Sequence, residues 1–209
     1  MAAPERLILN WLCARVPPFL TPDRLTFLGS VGAVLVCAGG ALSGASVQFL
    51  WLMILGLLIN WVGDSLDGSL ARFRGIARPN YGYFIDHAVD GLNNLLIAVG
   101  LGLTPSVHLD VSLFALCTYY LLCMYVFLRR QVLDELRLSY LWIGPTELRI
   151  LIGANIIGMH FAPAAFIAIG GKAFSLYDVL ILLTATIFLV LYIYLVSVTG
   201  AALRRSDHL

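Results

Sequence analysis

Charge is what this chain has least of. Only 12% of its 209 residues are Asp, Glu, Lys or Arg, 60% are hydrophobic, and the mean hydropathy is +0.91. Such a composition lies far outside that of soluble domains and predicts an integral membrane protein. No segment alternates apolar and polar residues in the two-residue rhythm of a barrel strand, which excludes an outer-membrane barrel and leaves an all-α architecture. Cys13, Cys37, Cys117 and Cys123 lack the close paired spacing of a zinc site and read as small packing residues. A basic opening, a short apolar core and a small-residue cleavage site are also missing, so no removed signal peptide is expected. Neither internal repeats nor low-complexity stretches are evident, and the length suits one compact bundle spanning 1–209 with no separate soluble domain.

Long apolar runs are what the chain has in quantity. They predict six transmembrane helices, over 25–43, 47–72, 82–104, 111–128, 148–170 and 179–199. Ahead of them, 5–16 places Leu7, Ile8, Trp11 and Leu12 on one face and stops at Pro17-Pro18. That pattern suits a short interfacial helix, or equally a helix packed on the bundle. Gly29, Gly32, Gly39 and Gly40 would let the first span approach a neighbour closely. Gly75 and Pro79 predict a turn between the second and third spans, and Gly144-Pro145-Thr146-Glu147 predicts a helix start. With six spans, every one of the 13 Lys and Arg residues except Lys172 falls on one side. The positive-inside rule then puts both termini on the cytoplasmic side.

Against this apolar background four carboxylates stand together, Asp64 and Asp67 at the end of the second span and Asp86 and Asp90 at the start of the third. Spacings of three and four residues put each pair on one helix face. An unpaired carboxylate at mid-bilayer costs roughly 2.5–3.5 kcal/mol, so four gathered in one place call for compensation, and a bound cation supplies it. Oxygen-only ligation favours Mg²⁺ or Mn²⁺ over zinc. Two such ions would suit substitution at a phosphodiester or pyrophosphate. Gly68 and Ala71 leave a groove beside the acids, with close helix packing as the plainer account. Arg72 can pair with an acid or a phosphate; Arg74 and Arg78 could do the same or equally be topology charges and surface residues. Asn60 and Asn94 continue the polar stripes by one turn. Adjacent to Asp86, His87 is a second candidate base beside Asp90, although neighbouring residues point about 100° apart on a helix. His108 and His160 read as structural or surface residues.

The ordered pattern Asp64-x-x-Asp67-Gly68-x-x-Ala71-Arg72, nine residues, then Gly82-x-x-x-Asp86-x-x-x-Asp90 resembles the signature of the CDP-alcohol phosphotransferases, membrane enzymes of phospholipid synthesis. Pro22-Asp23-Arg24-Leu25-Thr26, entering the first span, is similar to the family's entry, with Asp23 where an asparagine is usual. The gap before Gly82 is one residue longer than the commonest form. The resemblance implies Asp64, Asp67, Asp86 and Asp90 as metal ligands, Asp90 or His87 as the base, and Gly68, Ala71, Arg72 and Gly82 around the cytidine nucleotide. It also implies transfer of a substituted phosphate from a CDP-alcohol to an acceptor hydroxyl at the cytoplasmic face, with release of CMP. The short chain favours CDP-diacylglycerol as donor; Asp86-His87 resembles the branch that transfers phosphocholine or phosphoethanolamine to a lipid hydroxyl. Glu147 and Arg149 could line an acceptor pocket. A homodimer is expected, and no nucleic-acid partner. A divalent-cation transporter is the alternative from another class, disfavoured because no acidic ladder continues across the membrane.

Overall fold

Thr21 starts the first long helix: its hydroxyl accepts from the N–H of Arg24 at 3.4 Å, and Pro22 fills the first helical position, where a missing N–H costs nothing. The computed structural model describes residues 9–133, 145–162, 166–169 and 172–206. A helical segment over 9–13 (α1) precedes α2 (Pro22–Leu42), α3 (Phe49–Phe73), α4 (Pro79–Gly102), α5 (Leu109–Leu133) and α6 (Pro145–Phe161). Strands β1 (Phe166–Ile169) and β2 (Lys172–Ser175) follow, and α7 (Leu176–Ser206) closes the described chain.

All six expected helices are present, and α2, α3, α5 and α7 are long and apolar enough to cross a membrane. The polar stripe of α4 keeps it out of that group, as does the 17-residue length of α6. The all-α expectation holds apart from one short hairpin, and the fifth span over 148–170 needs correcting. Helix α6 ends at Phe161, and β1 pairs antiparallel with β2, Phe166 opposite Ser175. Hydropathy alone cannot separate a helix from a short apolar hairpin. Pro163, which suits no helix interior, and the turn dipeptide Gly170-Gly171 were the available signals, and both lie outside the described residues.

Glycine brings α2, α3 and α4 into backbone contact. A Cβ on Gly32 would stand 2.5 Å from the backbone nitrogen of Asn60, and one on Gly63 would stand 2.5 Å from that of Gly29. One on Gly40 would collide with the Gly100 carbonyl of α4. Helices α5 and α7 pair beside this trio, and α6 leans on α3. Buried Ala33, Val36, Met53, Ile97, Ile156 and Ile181 join them in one core.

The turn into α4 is closed by hydrogen bonds from the N–H of Ile76 to the Ala71 carbonyl and from the N–H of Gly75 to the Arg72 carbonyl, with Gly75 at φ 68°. That left-handed residue is the usual end of a helix capped by this double bond. Arg74 is neither a topology charge alone nor a bare surface residue. Its guanidinium donates to the carbonyls of Leu20, Val16 and Pro17 at 2.6, 2.9 and 3.0 Å, pinning the segment before α2 to the end of α3. Residues 5–8 of the expected interfacial helix lie outside the described residues. In α1, Leu9 and Cys13 are buried against Leu25, Leu66 and Leu70, whereas Trp11 faces outward under the Arg15 guanidinium. Of the face expected to be apolar, Leu12 packs at the edge of this cluster and Trp11 stays exposed.

Candidate metal and nucleotide site

Helix α3 ends where α4 begins, so the two aspartate pairs meet at one end of the bundle. Asp64, Asp86 and Asp90 each offer a carboxylate oxygen, and the three atoms lie within 4.8 Å of one another. Unit charges 4.8 Å apart repel by about 3 kcal/mol per pair at an effective dielectric of about 20. A divalent cation among the three oxygens would turn that repulsion into ligation. The donor set is all carboxylate, which fits Mg²⁺ or Mn²⁺.

Protein groups supply part of the compensation. The Arg149 guanidinium of α6 lies 2.8 Å from Asp64 and donates through Nε to Oδ1 of Asn60 at 3.1 Å. Asn60, fully buried, donates in turn to the Gly29 carbonyl at 3.0 Å. One chain of polar contacts thus ties α2, α3 and α6 to the first aspartate. Sequence placed Asn60 on the Asp64 face; nothing local linked it to Arg149, 89 residues on.

Asp67 stands apart from the three-oxygen group. Its carboxylate is buried and accepts from the Thr26 hydroxyl at 2.6 Å and from the Gly68 N–H at 2.5 Å. Thr26 is a partner that sequence reasoning missed, although it sits in the segment that enters α2. Sidechain pairing across 41 positions has no local signature.

The residues expected around a nucleotide lie on the outward side of the acids. Gly68 and Ala71 follow Asp64 along α3, and a Cβ on Gly68 would meet only the Arg72 guanidinium, 3.4 Å away. At Gly82, one turn before Asp86, a Cβ would meet nothing within 4 Å. These two glycines therefore differ from Gly32 and Gly40: open space, not a neighbouring helix, stands in front of them. Arg72 is exposed and reaches Ser69 at 3.4 Å.

No protein-family model matches the chain. It is 30% identical over 112 residues to cholinephosphotransferase 1 of Xenopus laevis, covering 51% of this chain and 27% of that protein. It is 34% identical over 84 residues to the phosphatidylinositol phosphate synthase of Cutibacterium acnes, covering 40% of this chain and 38% of that one. Over part of its length the chain is thus similar to a cholinephosphotransferase and a phosphatidylinositol phosphate synthase. It spans well under half the length of these curated relatives. The fold agrees: the crystal structure of Mycobacterium tuberculosis phosphatidylinositol phosphate synthase with CDP-DAG bound superposes with a TM-score of 0.59 at 21% identity, over 93% of this chain and 94% of that one.

Nδ1 of His87 lies 2.9 Å from the Tyr83 carbonyl and 3.5 Å from Asp86, and its ring packs between Tyr83 and Phe127. At the other end of the bundle His108 pairs with the fully buried Asp178 at 2.8 Å, and His160 packs against Trp51 and Phe161. Arg78 pairs with Asp23 at the surface and covers the Tyr81 ring.

Proposed function

We propose that this integral membrane protein is a metal-dependent phosphotransferase, moving a substituted phosphate from a CDP-alcohol to an acceptor hydroxyl with release of CMP. The convergence of Asp64, Asp86 and Asp90 oxygens within 4.8 Å, on helices carrying the full acid signature, supports this reading. Those three carboxylates would hold the cation. Asp67 is the fourth ligand: Thr26 and the Gly68 N–H orient its carboxylate, whose remaining lone pairs stay available. Mg²⁺ or Mn²⁺, one or two ions, when bound neutralises the donor pyrophosphate and the charge that develops on the departing nucleotide.

The protein's own groups do the rest. Gly68 and Gly82 leave room for the cytidine nucleotide, and Ala71 and Arg72 complete its wall. Asp90 takes the proton as the acceptor oxygen bonds to the β-phosphorus. The bond from that phosphorus to the α,β-bridging oxygen breaks, and its electron pair leaves with CMP. His87 is the second base candidate: Nδ1–H donating to the Tyr83 carbonyl leaves Nε2 as the proton acceptor. The reading takes 1–209 as one membrane domain of six crossing helices, with site and termini on the arginine-rich cytoplasmic side and a homodimer as the assembly. CDP-diacylglycerol is the first donor to try, CDP-choline and CDP-ethanolamine the next.

Purified protein in detergent should release CMP from at least one of these donors only when Mg²⁺ or Mn²⁺ is present, and Asp86→Asn should abolish the release. Metal-independent release, or an Asp86→Asn variant as active as the parent, would overturn the reading. Cation flux into liposomes without nucleotide would support a transporter instead.

A further inference from the structure

Helix α4 is anchored at one end. Its buried residues are Asn93, Ile97, Ala98, Gly100 and Leu101, and none of the residues from Pro79 to Leu92 is buried. Asp86 and Asp90 both stand on the unburied half. Near Gly100 the helix lies backbone to backbone against α2, and from Asn94 to Leu101 it borders a cavity of about 530 Å³ shared with α5, α6 and α7. Core packing therefore fixes the far end of α4 and leaves the acid-bearing turns to other contacts.

Those contacts come from one stripe of α5. Tyr120 donates its hydroxyl to the Gly91 carbonyl at 2.5 Å. The Phe127 ring packs on His87 with centroids 5.4 Å apart, and the Arg130 guanidinium covers the Tyr83 ring at 4.3 Å. Tyr120, Phe127 and Arg130 follow one another at seven and three residues, spacings that share a helix face. Their partners Gly91, His87 and Tyr83 are one turn apart on α4 and run the other way. The seam begins beside Asp90 and passes Asp86. It starts directly after Tyr119, where the α5 lining of the cavity ends.

The three contacts constrain α4 unequally. A ring or guanidinium can slide across an aromatic face at little cost, whereas a hydrogen bond fixes both distance and direction. A helix carbonyl has a second lone pair for such a donor, so the ladder of α4 is kept. Tyr120 thereby sets the depth and rotation at which the Asp90 turn faces α3. Placement matters at that scale, because Mg²⁺ demands near-octahedral oxygens at about 2.0–2.1 Å and a reacting group must be held within about 0.5 Å. On α3, Asp64 and Asp67 have cross-helix partners of their own in Arg149 and Thr26.

We propose that Tyr120 is a positioning residue: its hydroxyl, through the Gly91 carbonyl, holds the α4 segment carrying Asp86 and Asp90 within metal-sharing reach of Asp64. The catalytic consequence rests on the phosphotransfer reading above; the metal-binding consequence rests on the geometry of the acids.

Tyr120→Phe removes the hydroxyl and keeps the ring. Tyr125→Phe is the matched comparison, since Tyr125 on the same helix shares a hydrogen bond with Thr199 of α7 at 2.8 Å. Titration of each detergent-purified protein with Mn²⁺, with the free ion read by electron paramagnetic resonance, should show affinity about 10-fold or more weaker in Tyr120→Phe and as in the parent in Tyr125→Phe. At saturating Mn²⁺ and CDP-alcohol, kcat for CMP release should fall about 10-fold or more in Tyr120→Phe only. The two variants should melt together in EDTA. Parent-like Mn²⁺ affinity in Tyr120→Phe, or equal weakening in both variants, overturns the proposal. Melting of Tyr120→Phe in EDTA well below Tyr125→Phe marks a purely structural bond and overturns it too. A parent that releases no CMP from any CDP-alcohol while the Mn²⁺ difference persists overturns the phosphotransferase reading and supports the role of Tyr120. A parent that binds no Mn²⁺ overturns both.

Discussion

At the residue scale the site depends on groups that orient carboxylates as much as on the carboxylates. Thr26 bonds Asp67 from another helix at 2.6 Å. Removing such an orienting partner costs about 10–100-fold in metal affinity or activity where it has been tested. Thr26→Val should therefore raise the Mg²⁺ concentration for half-maximal CMP release by about that factor, while a titration of the parent and variant by thermal unfolding shows the same melting temperature in saturating Mg²⁺. Arg149 presents a different case. Its side chain and that of Asp64 are 11% and 19% exposed, so the pair is largely removed from water. Breaking a buried pair from one side costs about 3–5 kcal/mol because the other charge is left uncompensated. Arg149→Met should melt well below the parent in EDTA and recover most of the difference in Mg²⁺, since a ligand bound only to the folded state stabilises it. Equal losses with and without Mg²⁺ would mean that Arg149 acts through packing alone.

At the element scale the glycines divide into two kinds that look alike in a sequence. Gly32, Gly40 and Gly63 lie against other backbones, whereas Gly82 faces open space. Gly40→Val should lower the melting temperature in detergent sharply, because a side chain there meets the Gly100 carbonyl of α4 and neither backbone can yield cheaply. Gly82→Ala should melt with the parent and raise the KM for the CDP-alcohol. The helices themselves were legible from apolar runs, and the α6 start at Pro145 from its turn residues. The hairpin β1–β2 was not, because Phe166 to Ile169 is as apolar as the helix before it and hydropathy carries no information about which backbone satisfies its hydrogen bonds.

At the scale of the molecule, the two ends of the bundle differ in character. The acid end gathers Arg72, Arg74 and Arg78, with Arg130 over the Tyr83 ring and Arg149 on Asp64. At the other end Asp178 accepts from His108 and from the N–H of Ser175, locking β2 to the α4–α5 connection. A cysteine placed at Ser206, at the end of α7, should react with a membrane-impermeant maleimide from the cytoplasmic side of oriented vesicles, and one at Ala173 only from the opposite side. Labelling of both from the same side would refute the proposed crossing pattern.

Composition alone determined that the chain belongs in a membrane, and local spacing determined which helix faces carry the acids, because both follow from residue type and the helical repeat. Sequence also placed the acids at a single end of the bundle, through the alternation of apolar runs and arginines. Only the tertiary structure decided that Asp64, Asp86 and Asp90 form one group while Asp67 turns to Thr26. That division depends on how α3 is rotated about its own axis, and α3 packs there on α2 through glycines, with Gly63, next to Asp64, lying against Gly29. The cavity between α4, α5, α6 and α7 also belongs to the packing: it is the space left where α6 leans on α3 instead of filling that gap.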